Sequence, residues 1–230
     1  MSPRRPVVAI DGRTAAGKST VARAVATRLG FRYVDTGAMY RSVALAAIRR
    51  GVDLADPDAT ARLAGALVID FRPAADAAAG DRVVVDGEDV TEAIRTPDVS
   101  EGASIVSVSP GVRSALVARQ RAMGAEGGVV MEGRDIGTVV FPDADVKFFL
   151  DASLEVRARR RHAELRARGV EVDLEDVRRT EAERDQRDET RALSPLRPAA
   201  DAVVLDTTTQ ELEDVINSIV RLVRERTGVV

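Results

Sequence analysis

The chain has 230 residues, 45% of them apolar, enough for one sizeable hydrophobic core carrying a smaller insertion. It holds no cysteine and one histidine, His162, which excludes disulfides, cysteine nucleophiles, thiolate zinc sites and any multi-histidine metal centre. A net charge of −3 argues against a chain built for nonspecific nucleic-acid binding, and the absence of a membrane-length apolar run or a signal-type apolar core leads us to expect a soluble cytoplasmic chain with no membrane partner.

In chain order, the N-terminal "SPRR" reads as loose, and "PVVAI" at 6–10 reads as a buried strand. After a glycine-containing loop, Val21, Val25 and Leu29 repeat at a spacing of four, which predicts a helix ended by Gly30. "FRYV" at 31–34, "VVM" at 129–131, "VKFFL" at 146–150 and "AVVL" at 202–205 are further short apolar runs flanked by helical patterns, and together they predict a parallel α/β sheet. Between 67 and 96 the short β-rich pieces "LVIDF", "RVVVDG" and "EDVTEAIRT" surround the loop "RPAADAAAGD" at 72–81, which predicts a small antiparallel insertion. Residues 155–191 are almost wholly charged or small, so they are expected to be helical, exposed and mobile. Leu212, Val215, Ile216, Ile219, Val220 and Val223 share one face of a predicted closing helix.

The loop itself, Gly12-Arg13-Thr14-Ala15-Ala16-Gly17-Lys18-Ser19, fits G-x-x-x-x-G-K-[ST] between a strand and a helix, the context of a phosphate-binding P-loop. Its glycines let backbone amides turn toward a polyphosphate, and the helix presents its positive end. Lys18 neutralises the outer phosphates, and Ser19 can ligate Mg²⁺ through the nucleotide. Of 34 basic residues only Lys18 and Lys147 are lysines, so a compact ammonium stands where a planar guanidinium would fit phosphate oxygens poorly. A GTPase would need an Asn-Lys-x-Asp element, but the only asparagine is Asn217; a protein kinase would need His-Arg-Asp, but Ala follows His162.

"YVDTGAMYR" at 33–41 follows the second predicted strand and sets Asp35, Thr36, Tyr40 and Arg41 near the carboxyl edge of the sheet, where open α/β folds bind ligands. The same residues also suit an ordinary strand-to-helix turn with Thr36 as its cap. "MEGRDIGTVVFPDA" at 131–144 repeats the arrangement with Arg134 and Asp135, which equally suit an ion pair fixing the loop. His162 reads as a solvent-facing helix residue, and Asp143 with Asp145 as turn chemistry beside Pro142.

The blocks "DGRTAAGKST", "DTGAMYR", "GRDIGTVVFPDA", "ERDQRDETR" and "PAADAVVLDTT" occur in the order and spacing of bacterial cytidylate kinases, and the chain resembles that family, in its long form, from about residue 7 to 222. The resemblance implies one kinase chain over 1–230 with a P-loop NTPase-type parallel β-sheet core at 5–64, 97–154 and 192–230. It also implies a monophosphate-binding β insertion at 65–96 and a helical Arg-rich lid at 155–191. It implies transfer of a phosphoryl group from ATP, with Mg²⁺, to CMP or dCMP by a monomer; the alternatives are another P-loop small-molecule kinase or a non-catalytic ATP-binding module.

By the same resemblance, Ser104, Arg113 and Asp135 would read the cytosine edge, and Arg184 and Asp188 the ribose. Arg41, Arg134 and Arg191 would hold the acceptor phosphate, with Thr36 and Tyr40 beside them. ATP would meet residues 12–20, through Thr20, and Arg160, Arg161 and Arg187 of the lid; the catalytic set would be Lys18, Arg134, Asp135, Arg184, Asp188 and Arg191. The loop departs from the family's usual Gly-Pro-Ser-Gly-Ala-Gly-Lys at Arg13, Thr14 and Ala15. If position 15 needs a positive φ, Ala15 costs about 1 kcal/mol there, and Arg13 would offset this through an added phosphate contact.

Overall fold

A computed structural model describes residues 5–72 and 81–229. Residues 2–4 of the expected loose N-terminus, and 73–80 of the expected insertion loop, lie outside the described residues. The chain divides into two compact units, one formed by residues 1–32 and 127–230 and the other by residues 33–126.

Strand β1 (Val7–Gly12) is buried along its whole length and lies at the centre of a five-stranded sheet. With β2 (Arg32–Asp35), β6 (Val129–Gly133), β7 (Val146–Asp151) and β8 (Val203–Asp206), the order is β2-β6-β1-β7-β8. Ile10 stands opposite Glu132 on one side and Phe148 on the other, both in parallel register, and β8 runs parallel to β7. Strands covered on both faces need unbroken apolar runs, and β1, β6 and β7 are buried along all or nearly all of their length.

Helix α1 (Lys18–Leu29) begins directly after the loop and ends at Gly30 in the left-handed conformation. It is tied to α8 (Leu212–Thr227) where Arg28 donates to Asn217 Oδ1 at 2.7 Å and to Glu213 Oε1 at 2.5 Å. Val215, Ile216, Ile219, Val220 and Val223 are buried as the apolar pattern predicts, whereas Leu212 is half exposed because it occupies the first helical position, ahead of the face that meets the core.

The charged stretch 155–191 folds as α6 (Leu154–Ala167) and α7 (Leu174–Thr190), packed on one another through Ala158, Leu165 and Val177. The expectation of a wholly exposed pair is corrected here. Arg157, Glu181, Asp185 and Asp188 are buried; Arg157 and Asp185 satisfy one another, and Asp188 pairs with Arg134. His162 is half buried, its Nε2 3.1 Å from the Val172 carbonyl oxygen, rather than facing solvent.

The second unit contains α2 (Thr36–Arg49), α3 (Pro57–Ala66), α4 (Pro97–Val106) and α5 (Pro110–Gly124), around a core that includes Met39, Val43, Leu63, Ile94 and Leu116. Three of these helices start on proline, whose fixed φ suits a first helical residue, and the carboxylates of Asp35 and Asp56 cap α2 and α3. Strands β3 (Ile69–Arg72), β4 (Arg82–Val85) and β5 (Glu88–Asp89) form the antiparallel sheet, with Ile69 opposite Val85 and Phe71 opposite Val83. Residues of the β insertion expected at 65–96, among them Ile69, Val83, Val85 and Val90, share one core with the helices of this unit.

Asp11, near the carboxyl end of β1, is buried and accepts amide hydrogens from Ile136 and Gly137, each at 2.8 Å. These bonds fix the π-helical turn Ile136–Val140 that follows β6. Burial holds the carboxyl up at about 6, against the pull of the two amides. Asp11→Asn is expected to destabilise the chain by about 1–3 kcal/mol in urea unfolding at pH 7, because one amide would face the new NH₂ group instead of an acceptor.

Candidate functional site

The loop from Gly12 to Gly17 takes a backbone path that few residues permit. Gly12 has φ +148°, and a Cβ there would lie 2.0 Å from the Leu150 carbonyl oxygen, so the approach of the loop to β7 requires glycine. Gly17, at the cap of α1, has φ +88°, and Ala15 has φ +56°, so the strain foreseen for alanine at that position is present. Thr207 Oγ1 donates to the Ala16 carbonyl at 3.1 Å and binds the loop to the end of β8.

Lys18 is buried, and its Nζ donates to the Arg13 carbonyl oxygen of its own loop at 2.5 Å. Burial, followed by repulsion from Arg134, pushes the ammonium down to about 7, with Glu132 and Asp11 opposing. Ser19 and Thr20 are exposed in the first turn of the helix.

Arg134, just past β6, donates from Nη2 to Thr14 Oγ1 at 2.6 Å and from Nε to Asp188 Oδ2 at 3.1 Å. Asp188 also lies 3.9 Å from Arg191 Nη1. Its burial would raise the carboxyl, but Arg134, Arg184 and Arg191 outweigh that and hold it below the usual range. The structure thus brings the P-loop, Arg134, Asp188 and Arg191 together, with Asp135 buried beside Arg134. Arg184 belongs to the same electrostatic cluster through Lys18 and Asp188.

The expected lid arginines divide. Arg160 donates to Thr207 Oγ1 and to its carbonyl oxygen, at 3.1 and 2.7 Å, close to the loop that Thr207 braces. Arg161 instead pairs with Glu164 on its own helix at 2.8 Å, and Arg187 lies on α7. Arg157, which sequence patterning did not single out, donates twice to Asp185, at 3.2 and 2.6 Å, and lies 3.5 Å from the Thr14 carbonyl oxygen. Arg13 pairs with Asp151, Asp185 and Glu189.

In the second unit, Asp35, not Thr36, caps α2, accepting from the Ala38 amide at 2.9 Å, and it pairs with Arg41 at 2.7 Å. Burial pushes the Asp35 carboxyl up, but Arg41 and the capping amide outweigh it and hold it below the usual range. Thr36 is buried, and Arg113 Nη1 lies 3.4 Å from the Tyr40 hydroxyl. Ser104 is buried on α4, and its hydroxyl makes no hydrogen bond among the described residues.

The protein family described as cytidylate kinase matches residues 8–225. The chain belongs to that family. It is 56% identical over 215 residues to the cytidylate kinase of Pelotomaculum thermopropionicum, covering 94% of each chain, and 52% identical over 225 residues to that of Solibacter usitatus, covering 97% of this chain and 94% of that one. Among solved structures, a gluconokinase from Sinorhizobium meliloti 1021 superposes with a TM-score of 0.51 at 15% identity over 98% of this chain and 96% of that one, a likeness of fold. The family's P-loop kinase architecture is the one the parallel sheet and loop display.

Ala15→Gly is expected to raise unfolding stability by up to about 1 kcal/mol in urea, since it removes the left-handed penalty at this position. Lys18→Met is expected to flatten the pH dependence of stability above neutrality. Between pH 7 and 10.5 the unfolded chain binds the lysine proton that the folded chain releases, so wild-type stability should rise relative to the variant when unfolding is compared at pH 7 and pH 9.

Proposed function

We propose that the chain, acting as a soluble monomer, transfers the γ-phosphoryl group of ATP to CMP or dCMP, giving ADP with CDP or dCDP. The observation that carries this is Arg134, one guanidinium donating both to Thr14 on the P-loop and to Asp188 on α7. It stands between the loop suited to a donor triphosphate and the helix whose Arg184 and Asp188, with Arg191 just past its end, are assigned to the acceptor.

Two polyanions must approach one another in this reaction, and each pair of unit charges about 4 Å apart costs roughly 4 kcal/mol at an effective dielectric of 20. Lys18, Arg134 and Arg191 answer that repulsion, and planar guanidinium forks suit phosphate oxygens. A phosphate arriving beside Lys18 restores the charged ammonium that burial disfavours. The acceptor oxygen is already anionic, so catalysis reduces to positioning and charge stabilisation, and no histidine or cysteine is needed.

Arg41, Thr36 and Tyr40 of the second unit offer a cation and two hydroxyls for a monophosphate, and Ser104 and Arg113 offer groups for a base edge. Ser104 keeps a buried hydroxyl whose hydrogen-bonding capacity is unused among the described residues, which suits a polar ligand atom. The Mg²⁺ ion would be carried by the nucleotide phosphates, with Ser19, exposed in the first turn of α1, as the protein hydroxyl. Mg²⁺ bound there supplies further neutralisation of phosphate charge. Arg160, Arg161 and Arg187 are assigned to the ATP side of a lid, and closure of α6 and α7 would keep water from the phosphoryl group.

ADP release with ATP and Mg²⁺ should be fast with CMP and dCMP and slow with UMP, AMP and shikimate, and Lys18→Ala purified identically should lose it. Release that survives in the variant would come from a contaminating kinase. ATP binding without turnover on any acceptor would overturn the assignment in favour of a non-catalytic nucleotide-binding module.

A further inference from the structure

We propose that Arg13, although it lies in the ATP-side loop, is a positioning residue for the monophosphate side of the reaction, anchoring α7 through Asp185 and Glu189. This rests on the function proposed above for the substrates, whereas the anchoring itself is a property of the chain alone.

The side chain of Arg13 is committed to carboxylates. Its Nε lies 3.2 Å from Asp151 Oδ1 at the end of β7, and its Nη1 lies 3.3 Å from Asp185 Oδ2 and pairs with Glu189 Oε1. Asp185 and Glu189 are four residues apart, one turn along the same face of α7. One guanidinium therefore grips two successive turns of that helix and also reaches the sheet edge that carries the loop. Asp185 is held from its other side by Arg157 of α6, so the joint fixes α7 against both the loop and α6.

The same α7 carries Arg184 and Asp188 and leads directly into Arg191, and Asp188 lies between the two gripped positions. Rotating α7 about its axis would move Asp188 away from Arg134, at present 3.1 Å distant. Arg13 thus acts on the acceptor through the helix, and with its Nε and Nη1 held by three carboxylates it is not aimed at a phosphate as the sequence suggested. The joint is also open to salt, because Arg13 is 26% exposed and Glu189 40% exposed.

Two measurements test this. In steady-state kinetics, Arg13→Ala should raise KM for CMP about 3- to 10-fold while KM for ATP changes less than about 2-fold, the range expected for losing a partly exposed ion-pair network. Glu189→Gln should shift the same constant in the same direction, and the double variant should be no worse than Arg13→Ala alone. Hydrogen exchange on the nucleotide-free chain should be faster in α7 for both single variants, and high salt should bring wild type toward them. A rise in KM for ATP with KM for CMP unmoved would overturn the proposal and make Arg13 a phosphate contact. Unchanged α7 exchange in both variants, or fully additive effects of the two substitutions, would overturn it too. If CMP proves not to be the acceptor, the exchange measurement still decides whether Arg13 anchors α7.

Discussion

Arginines gathered at one place repel one another and need anionic partners, and in this chain carboxylates supply them. Arg13 faces Asp151, Asp185 and Glu189; Arg157 faces Asp185; Arg134 and Arg191 face Asp188. A buried guanidinium without a partner would carry a desolvation penalty of several kcal/mol, so the acids of α7 are what allow the arginines to be held in place. This accounts for the burial of carboxylates along one face of a helix whose sequence is nearly all charge. On the function proposed above, a phosphate meeting these arginines would take the place of carboxylates that already hold them.

The loop is organised by backbone constraints of a different kind. Gly12 is pressed against the Leu150 carbonyl, Ala15 and Gly17 hold positive φ values, and Lys18 returns its ammonium to the Arg13 carbonyl. Each constraint is local, and together they shape the loop before any ligand arrives. Asp11 extends the same order across the sheet by holding the turn after β6, from which Arg134 and Asp135 project. Lys18 and Arg134 are therefore placed by the ends of adjacent parallel strands.

Much of this was legible in the residues. Unbroken apolar runs gave the five strands of the parallel sheet, and a spacing of four after the glycine loop gave α1, because both signals are local and periodic. Arg134 and Asp188 were found through block order, and the structure joins them directly. The partners of Arg13 left no such trace: Asp151 is 138 residues away, and a salt bridge at that separation has no period. Charge density in α6 and α7 suggested exposure, since composition records how polar a segment is and not whether its charges meet opposite ones. The extent of the second unit was similarly hidden, because helices that pack on a sheet and helices that pack on one another share the same amphipathic pattern.

β8 is four residues long beside a six-residue β7, alternates between half-buried and exposed positions, and ends on Asp206, which turns its carboxylate to the Thr208 amide. An outer strand so short offers few unpaired backbone groups to an incoming chain, and its terminal charge disfavours further extension. Although Val204 is exposed there, the sheet gives a neighbouring molecule little template on which to add a strand. The fold can thus keep a strongly apolar parallel core and still resist edge-to-edge aggregation at high concentration.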